Sequence, residues 1–310
     1  MDFLSLPKHL QINILKCVDW KSIINVKFFE KPKLCAINID CGKQKNITER
    51  IKIAYLICNE EHQDDEFHVD EAKKIFFTNI EGYEDFLRSN DLTILKHIFI
   101  DICSGTEIIK LFNKYYKGGN YIKEVDLYDY GRIKNSICND ILEFINKIRN
   151  AEYISLVLNF PNDHLPKDYI FPKMNFLSRL YIEERNGTNF VTKEMILQLI
   201  NNSSVDFSLA ISFKNENIYL DVVKCFTEKV VFCMKNECTG QSFNPRVIFY
   251  KSRPLTLLDI ELIKDFFIRY DFAITHTAFS SVEHEFIGRK ECELCGIYHS
   301  IRFDFDTFFD

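Results

Sequence analysis

The chain predicts an α/β fold in which short strand–helix units follow one another, giving a parallel sheet with helices on one side. Three observations predict it. From Leu92 onward, runs with two-residue alternation give way to runs with a 3.6-residue period, and strand starts recur roughly every 20 to 30 residues. The 310 residues are 46% hydrophobic, with 29 Phe and 14 Tyr against 10 Gly and 7 Pro, a composition rich in packed elements and poor in linker. No Gly-rich turn follows an early strand, so a curved solenoid is expected rather than a doubly wound nucleotide-binding sheet.

The first elements are two short helices. Pro7 suits a first helical position, where its missing N–H costs nothing. Leu10, Ile14 and Val18 recur at i, i+4 and i+8 with Leu15 widening the stripe, while Lys8, Asn13 and Lys16 take the wet side. Asp19 fits an N-cap that accepts from Lys21 or Ser22, and Ile23, Ile24 and Val26 continue a second stripe. Two amphipathic helices of about ten residues cannot bury both stripes alone and need a third helix, a following domain or a partner.

This pattern, from Phe3-Leu4-Ser5-Leu6-Pro7 through Trp20 to Leu34, resembles an F-box and bounds a helical module at residues 1–40. Such a module continues with a third apolar helix, but here Phe28, Phe29 and Leu34 are interrupted by Pro32, a departure from the pattern. The resemblance implies a Skp-family adaptor, and through it a cullin, with Leu6, Pro7, Leu10, Ile14, Leu15 and Trp20 as the adaptor contacts.

Residues 41–91 read as a linker or capping region. Ile51, Ile53, Tyr55 and Ile57 alternate with Lys52, Ala54, Leu56 and Cys58, which suits a mostly buried strand, while a helix starting near Ile47 fits almost as well. Residues 60–71 carry seven carboxylates with His62 and His68 among them. They lack the ligand order of a calcium loop and are expected as a solvated loop. Asp85-Phe86-Leu87 closes a short helix before Asn90.

From residue 92 to 310 the strand–helix unit repeats. Strands are expected at 94–101, 124–128, 153–159, 178–182 and 207–213, with helices at 107–116, 136–148, 193–200 and 218–226. Weaker strands are expected at 229–234 and 247–250. Ser104-Gly105-Thr106 opens a helix without a phosphate-loop lysine, and Gly118-Gly119 suits a helix C-cap. The units resemble an irregular leucine-rich-repeat solenoid over residues 92 to about 275, without the asparagine ladder of regular repeats.

Strand alternation then assigns two faces. Val125, Leu127, Ile154, Leu156, Leu158, Leu180, Ile182, Phe207, Leu209 and Ile211 point inward. Phe99, Asp101, Asp126, Tyr128, Val157, Asn159, Tyr181, Glu183 and Ser212 therefore line the open face. Aromatics mixed with carboxylates suit a protein or peptide target with some basic character.

Eleven cysteines, an odd number scattered over the chain, fit a reducing compartment, cytoplasmic or nuclear, better than a disulfide framework. Cys292, Cys295 and His299 have a metal-like C-x2-C-x3-H spacing, and Cys233 and Cys238 form a looser pair. The expectation there is a hairpin leaving a tight Gly296 turn with incidental cysteines, so no metal or other cofactor is expected. A net charge of −6 argues against a nucleic-acid backbone as principal ligand, and no apolar run reaches a membrane span. No N-terminal signal is expected. None of the eight histidines sits in a hydrolase or metalloprotease motif, and no enzyme is expected.

Together the resemblances imply a substrate-recognition subunit of a Skp-cullin-F-box ubiquitin ligase, recruiting its target through the repeats. The alternative is a repeat scaffold that binds a protein with no link to ubiquitin, its N-terminal helices serving as a cap.

Overall fold

The structure is a computed structural model. It describes residues 31–42, 50–57, 72–102, 107–129, 138–159, 169, 171–174, 176–185, 188, 190–202, 207–212, 218–236, 238, 240, 242, 244–251, 253–280 and 283–307. The chain divides into two units, residues 1–32 and 33–310, and the architecture described is that of the second. The two expected N-terminal helices, with Leu6, Pro7, Leu10, Ile14, Leu15 and Trp20, lie outside the described residues, as does the acidic run 60–71.

The second unit is α/β. Its strands are β1 (Leu34–Gly42), β2 (Arg50–Ile57), β3 (Lys73–Phe77), β4 (His97–Ile102), β5 (Ile122–Asp129), β6 (Ala151–Leu158), β7 (Arg179–Glu184) and β8 (Ser208–Ser212), followed by β9 (Arg246–Lys251), β10 (Ala273–Ala278), β11 (His284–Glu291) and β12 (Tyr298–Thr307). All twelve join one open sheet in the order β10-β11-β12-β9-β8-β7-β6-β5-β4-β1-β2-β3. The run from β1 through β4 to β9 and on to β12 is parallel, and an antiparallel pair closes each end.

Six helices are described: α1 (Ile80–Ser89), α2 (Glu107–Tyr115), α3 (Cys138–Lys147), α4 (Lys193–Asn202), α5 (Ile218–Asn236) and α6 (Leu257–Arg269). Each forms where the sequence supplies an apolar stripe at helical spacing: Tyr83, Phe86 and Leu87 in α1, Ile108, Ile109 and Phe112 in α2, Ile141, Leu142, Phe144 and Ile145 in α3. Neighbouring helices touch in the pairs α1–α2, α2–α3, α4–α5 and α5–α6. Their stripes share one core with Ile98, Ile100, Val125, Leu127, Ile154, Leu156, Leu180, Ile182, Leu209 and Ile211, so the sheet face expected to point inward is the one the helices cover. Parallel strands added in chain order with right-handed crossovers put every helix on that side.

One expectation is corrected, and two regions gain detail. Residues 34–42, within the expected module, form β1, where Leu34, Ile37 and Ile39 are fully buried and the strand is hydrogen-bonded to both β2 and β4. Within the region read as linker or capping, β2, β3 and α1 extend the same sheet and core, and of the two readings at Ile51 the strand is the one observed. Residues 229–234 are helical, continuing α5, because Val223, Phe226, Thr227, Val230, Cys233 and Met234 bury at spacings of three and four. The β-branched run at 230–231 favours a strand locally, and tertiary packing overrides that preference.

Gly118 and Gly119 follow α2 with φ of 73° and 90°, as expected of residues that end a helix. Among the described residues no helix is long and apolar enough to cross a membrane.

Candidate functional site

The strand register builds the open face as three straight rows. One row runs His97, Glu124, Tyr153, Arg179, Ser208 across β4 to β8. The next runs Phe99, Asp126, Ser155, Tyr181, Ala210, Ile248, Asp304, reaching β12. The third runs Asp101, Tyr128, Val157, Glu183, Ser212, Tyr250, Asp306. Parallel pairing without a bulge keeps side chains of one parity in line from strand to strand. Eight of the nine residues expected on this face therefore stand in two adjacent rows, and Asn159 follows directly after β6.

Position is not the same as access. Phe99, Asp101, Tyr128, Tyr181 and Glu183 are half-buried and offer surface, whereas Asp126, Val157 and Asn159 are buried at 8%, 2% and 4% exposure. Val157 is a short side chain between Tyr128 and Glu183 in its row, which take the surface around it. The Asn159 N–H donates to the buried carboxylate of Asp129 at 3.3 Å. Ser212 holds its expected place in β8. Glu124, Tyr153, Tyr250 and Asp306 join the rows without having been singled out from sequence, although the same alternation assigns them.

The electrostatics divide the face in two. On the β4–β6 side carboxylates outnumber cations. Burial pushes the Asp126 carboxyl up to about 7, and the neighbouring Glu124 charge pushes the same way, while a hydrogen bond with Ser155 opposes both. Burial lowers the His97 pKa against the pull of Glu124, whose carboxylate lies 3.5 Å from Nδ1. Tyr128 and Tyr153 are held above the usual phenol range, chiefly by burial.

Toward β12 the charges are paired. Arg246 Nε lies 2.5 Å from Asp304, and Arg302 bridges Asp304 at 3.0 Å and Glu285 at 2.8 Å. Between the halves, the Tyr181 hydroxyl donates to Glu183 at 2.7 Å and Arg185 holds the same carboxylate at 2.6 Å. Burial would raise the Glu183 pKa, but these two hydrogen bonds outweigh it and keep the group ionised. The Tyr181 and Tyr250 rings meet edge to face at 6.0 Å, which fixes both.

The face thus presents fixed aromatic area edged by acceptors, a surface suited to binding. The remaining candidates lie elsewhere. Cys292, Cys295 and His299 come together at the β11–β12 turn, joined by Cys238, with all four donor atoms within 4.8 Å of one another. Cys233 is buried within α5 and does not join them. Compared with protein-family models, curated proteins and solved structures, the chain matches none.

Proposed function

We propose that this chain is a substrate-recognition subunit of a Skp-cullin-F-box ubiquitin ligase, with residues 92–310 as an irregular leucine-rich-repeat-like array that selects the target. The observation that carries the binding half is the open sheet face, where Phe99, Asp101, Tyr128, Tyr181 and Glu183 stand in register and half-exposed. A target segment with basic character complements the acidic side of that face. The ligase half rests on the spacing of Leu6, Pro7, Leu10, Ile14, Leu15 and Trp20 in the sequence. In that role the chain makes and breaks no bonds. It holds a target lysine near a charged conjugating enzyme and so raises its effective concentration, in the cytoplasm or nucleus.

The second reading is a protein-binding scaffold with no link to ubiquitin, favoured by the open face being built wholly from strands within residues 33–310. Co-purification with a Skp-family adaptor separates the two. Leu10→Ala and Ile14→Ala are expected to weaken adaptor binding by about 1 to 3 kcal/mol each. Tyr128→Ala combined with Tyr181→Ala should keep the adaptor and lose the target. Adaptor capture unaltered by the N-terminal pair, or absent from the native chain, removes the ligase reading and leaves the scaffold.

A further inference from the structure

The Cys and His donors at the end of the sheet are brought together from three separate places in the fold. Cys238 lies just beyond the C-terminus of α5, Cys292 and Cys295 flank the turn between β11 and β12, and His299 is the second residue of β12. Groups as far as 61 residues apart in the chain therefore close on one point, and packing of the core alone does not require sulfur and imidazole there. Two of the four are deeply buried, with Cys292 at 1% and His299 at 0% exposure.

The distances are those of a four-coordinate metal site. Cys238 Sγ lies 3.2 Å from Cys295 Sγ, and His299 Nε2 lies 3.8 Å and 3.9 Å from those two sulfurs. A tetrahedron with metal–sulfur bonds of about 2.3 Å and a metal–nitrogen bond of about 2.0 Å has edges of about 3.5 to 3.8 Å. The S–S separation is about 0.6 Å shorter than the ideal edge, the S–N separations are about 0.3 to 0.4 Å longer, and all four donors lie within 4.8 Å of one another, so side-chain torsions must adjust to seat an ion.

The turn is also shaped for thiolates. Gly296 takes φ 69°, and its N–H donates to the Cys292 carbonyl at 2.8 Å, while the Cys292 N–H donates to the Ile297 carbonyl at 2.9 Å. Closing the turn this way leaves the backbone N–H groups of Leu294 and Cys295 directed at the Cys292 sulfur.

We propose that Cys238, Cys292, Cys295 and His299 hold one structural zinc ion, which fastens the β11–β12 hairpin to the end of α5. Three sulfurs and one imidazole match a soft tetrahedral centre, and a full set of four protein donors leaves no position for substrate, so the ion serves structure rather than chemistry. Binding replaces three thiol protons with the cation and leaves the centre with one net negative charge. The rival arrangement is a Cys238–Cys295 disulfide. It would need the sulfurs to close to about 2.05 Å and would give Cys292 and His299 no part. The proposal is independent of the adaptor reading and survives its failure.

The test uses the full chain, purified under reducing conditions without added chelator, with zinc measured by elemental mass spectrometry. About one zinc per chain is expected. Cys292→Ser and Cys295→Ser should each drop this more than about fivefold, while Cys233→Ser, off the cluster, should keep it. Since a ligand variant can fail to fold, the native chain is also stripped and titrated with cobalt. Saturation at about one equivalent, with the thiolate-to-metal charge-transfer band and strong ligand-field bands of a tetrahedral site, supports the centre. Substoichiometric zinc with no such bands overturns it. So does zinc retained by both serine variants, or a Cys238–Cys295 disulfide found by mass mapping in the metal-free chain while Cys292 stays reactive.

Discussion

Asp126 couples the open face to pH. Its carboxyl ordinarily ionises near 3.8 and in the folded protein near 7, because it is buried beside Glu124. Between those values the native state keeps a proton that the unfolded chain has lost, so stability falls as pH rises through this window and levels off above it. At about 1.4 kcal/mol for each pH unit that separates the two ionisations, the loss is on the order of 4 kcal/mol at most. Asn is neutral at every pH and nearly the same shape. Asp126→Asn is therefore expected to be more stable than the native chain by about 1 to 3 kcal/mol at pH 8 and no different at pH 4. Urea denaturation at both pH values measures this, and equal stability at pH 8 would refute it. His97, whose pKa burial lowers, contributes a slope of the opposite sign in both proteins, so the difference between them isolates Asp126. Strand alternation is enough to assign Asp126 to this face. It does not reveal that the side chain is buried at 8% exposure, because burial depends on which residues of β4 and β6 flank it.

At the scale of elements, α6 depends on how its first turn is satisfied. Thr256 Oγ1 accepts from the Asp259 N–H at 3.2 Å, and the Asp259 carboxylate accepts from the Thr256 N–H at 2.8 Å, a reciprocal capping box. The Tyr219 hydroxyl of α5 donates to the same carboxylate, so the cap also ties α5 to α6. Burial would raise the Asp259 pKa, but the Tyr219 and Thr256 hydrogen bonds prevail and lower it. Thr256→Ala is expected to cost about 1 kcal/mol and Asp259→Ala about 1 to 3 kcal/mol, the second removing the tie as well. A smaller loss for Asp259→Ala than for Thr256→Ala in urea titrations would contradict this.

Elements are legible in the sequence where one period dominates a segment. Strands β4 to β8 bury alternate apolar residues against the helices and α2 to α4 each bury one stripe, although β6 is buried on its other face as well. The second half of α5 hides behind Val230, Val231 and Phe232, which favour strands locally. The antiparallel ends are opaque for a different reason. The alternation at Ile51, Ile53, Tyr55 and Ile57 fits a helix almost as well as a strand, and the choice is made by pairing with β1, which is itself held by β4 some 60 residues later in the chain. The Cys238 partnership is hidden in the same way, since its distance from Cys292 along the chain says nothing of their closeness in space.

The whole molecule makes a sharper statement about its N-terminus than any one residue does. β1 is not an edge strand: it is hydrogen-bonded to β4 on one side and β2 on the other, and Leu34, Ile37 and Ile39 are fully buried. A chain starting at residue 33 keeps this strand, and one starting at residue 43 loses it. In the shorter chain the β2–β3 pair loses the strand that joins it to the sheet, and β4 becomes an apolar edge bearing Ile98 and Ile100. Unprotected edges of that kind recruit other chains, whereas the native edge strand β3 carries exposed Lys73 and Lys74. Residues 33–310 are thus expected to melt cooperatively within about 4 °C of the full chain, while residues 43–310 aggregate on expression. Differential scanning calorimetry and gel filtration distinguish the two. The outcome bears directly on function, because an adaptor-binding module must be dispensable for folding of the domain it serves. If residues 33–310 unfold or precipitate when residues 1–32 are removed, those residues are needed for folding of the domain, and the scaffold reading takes the place of the ligase one.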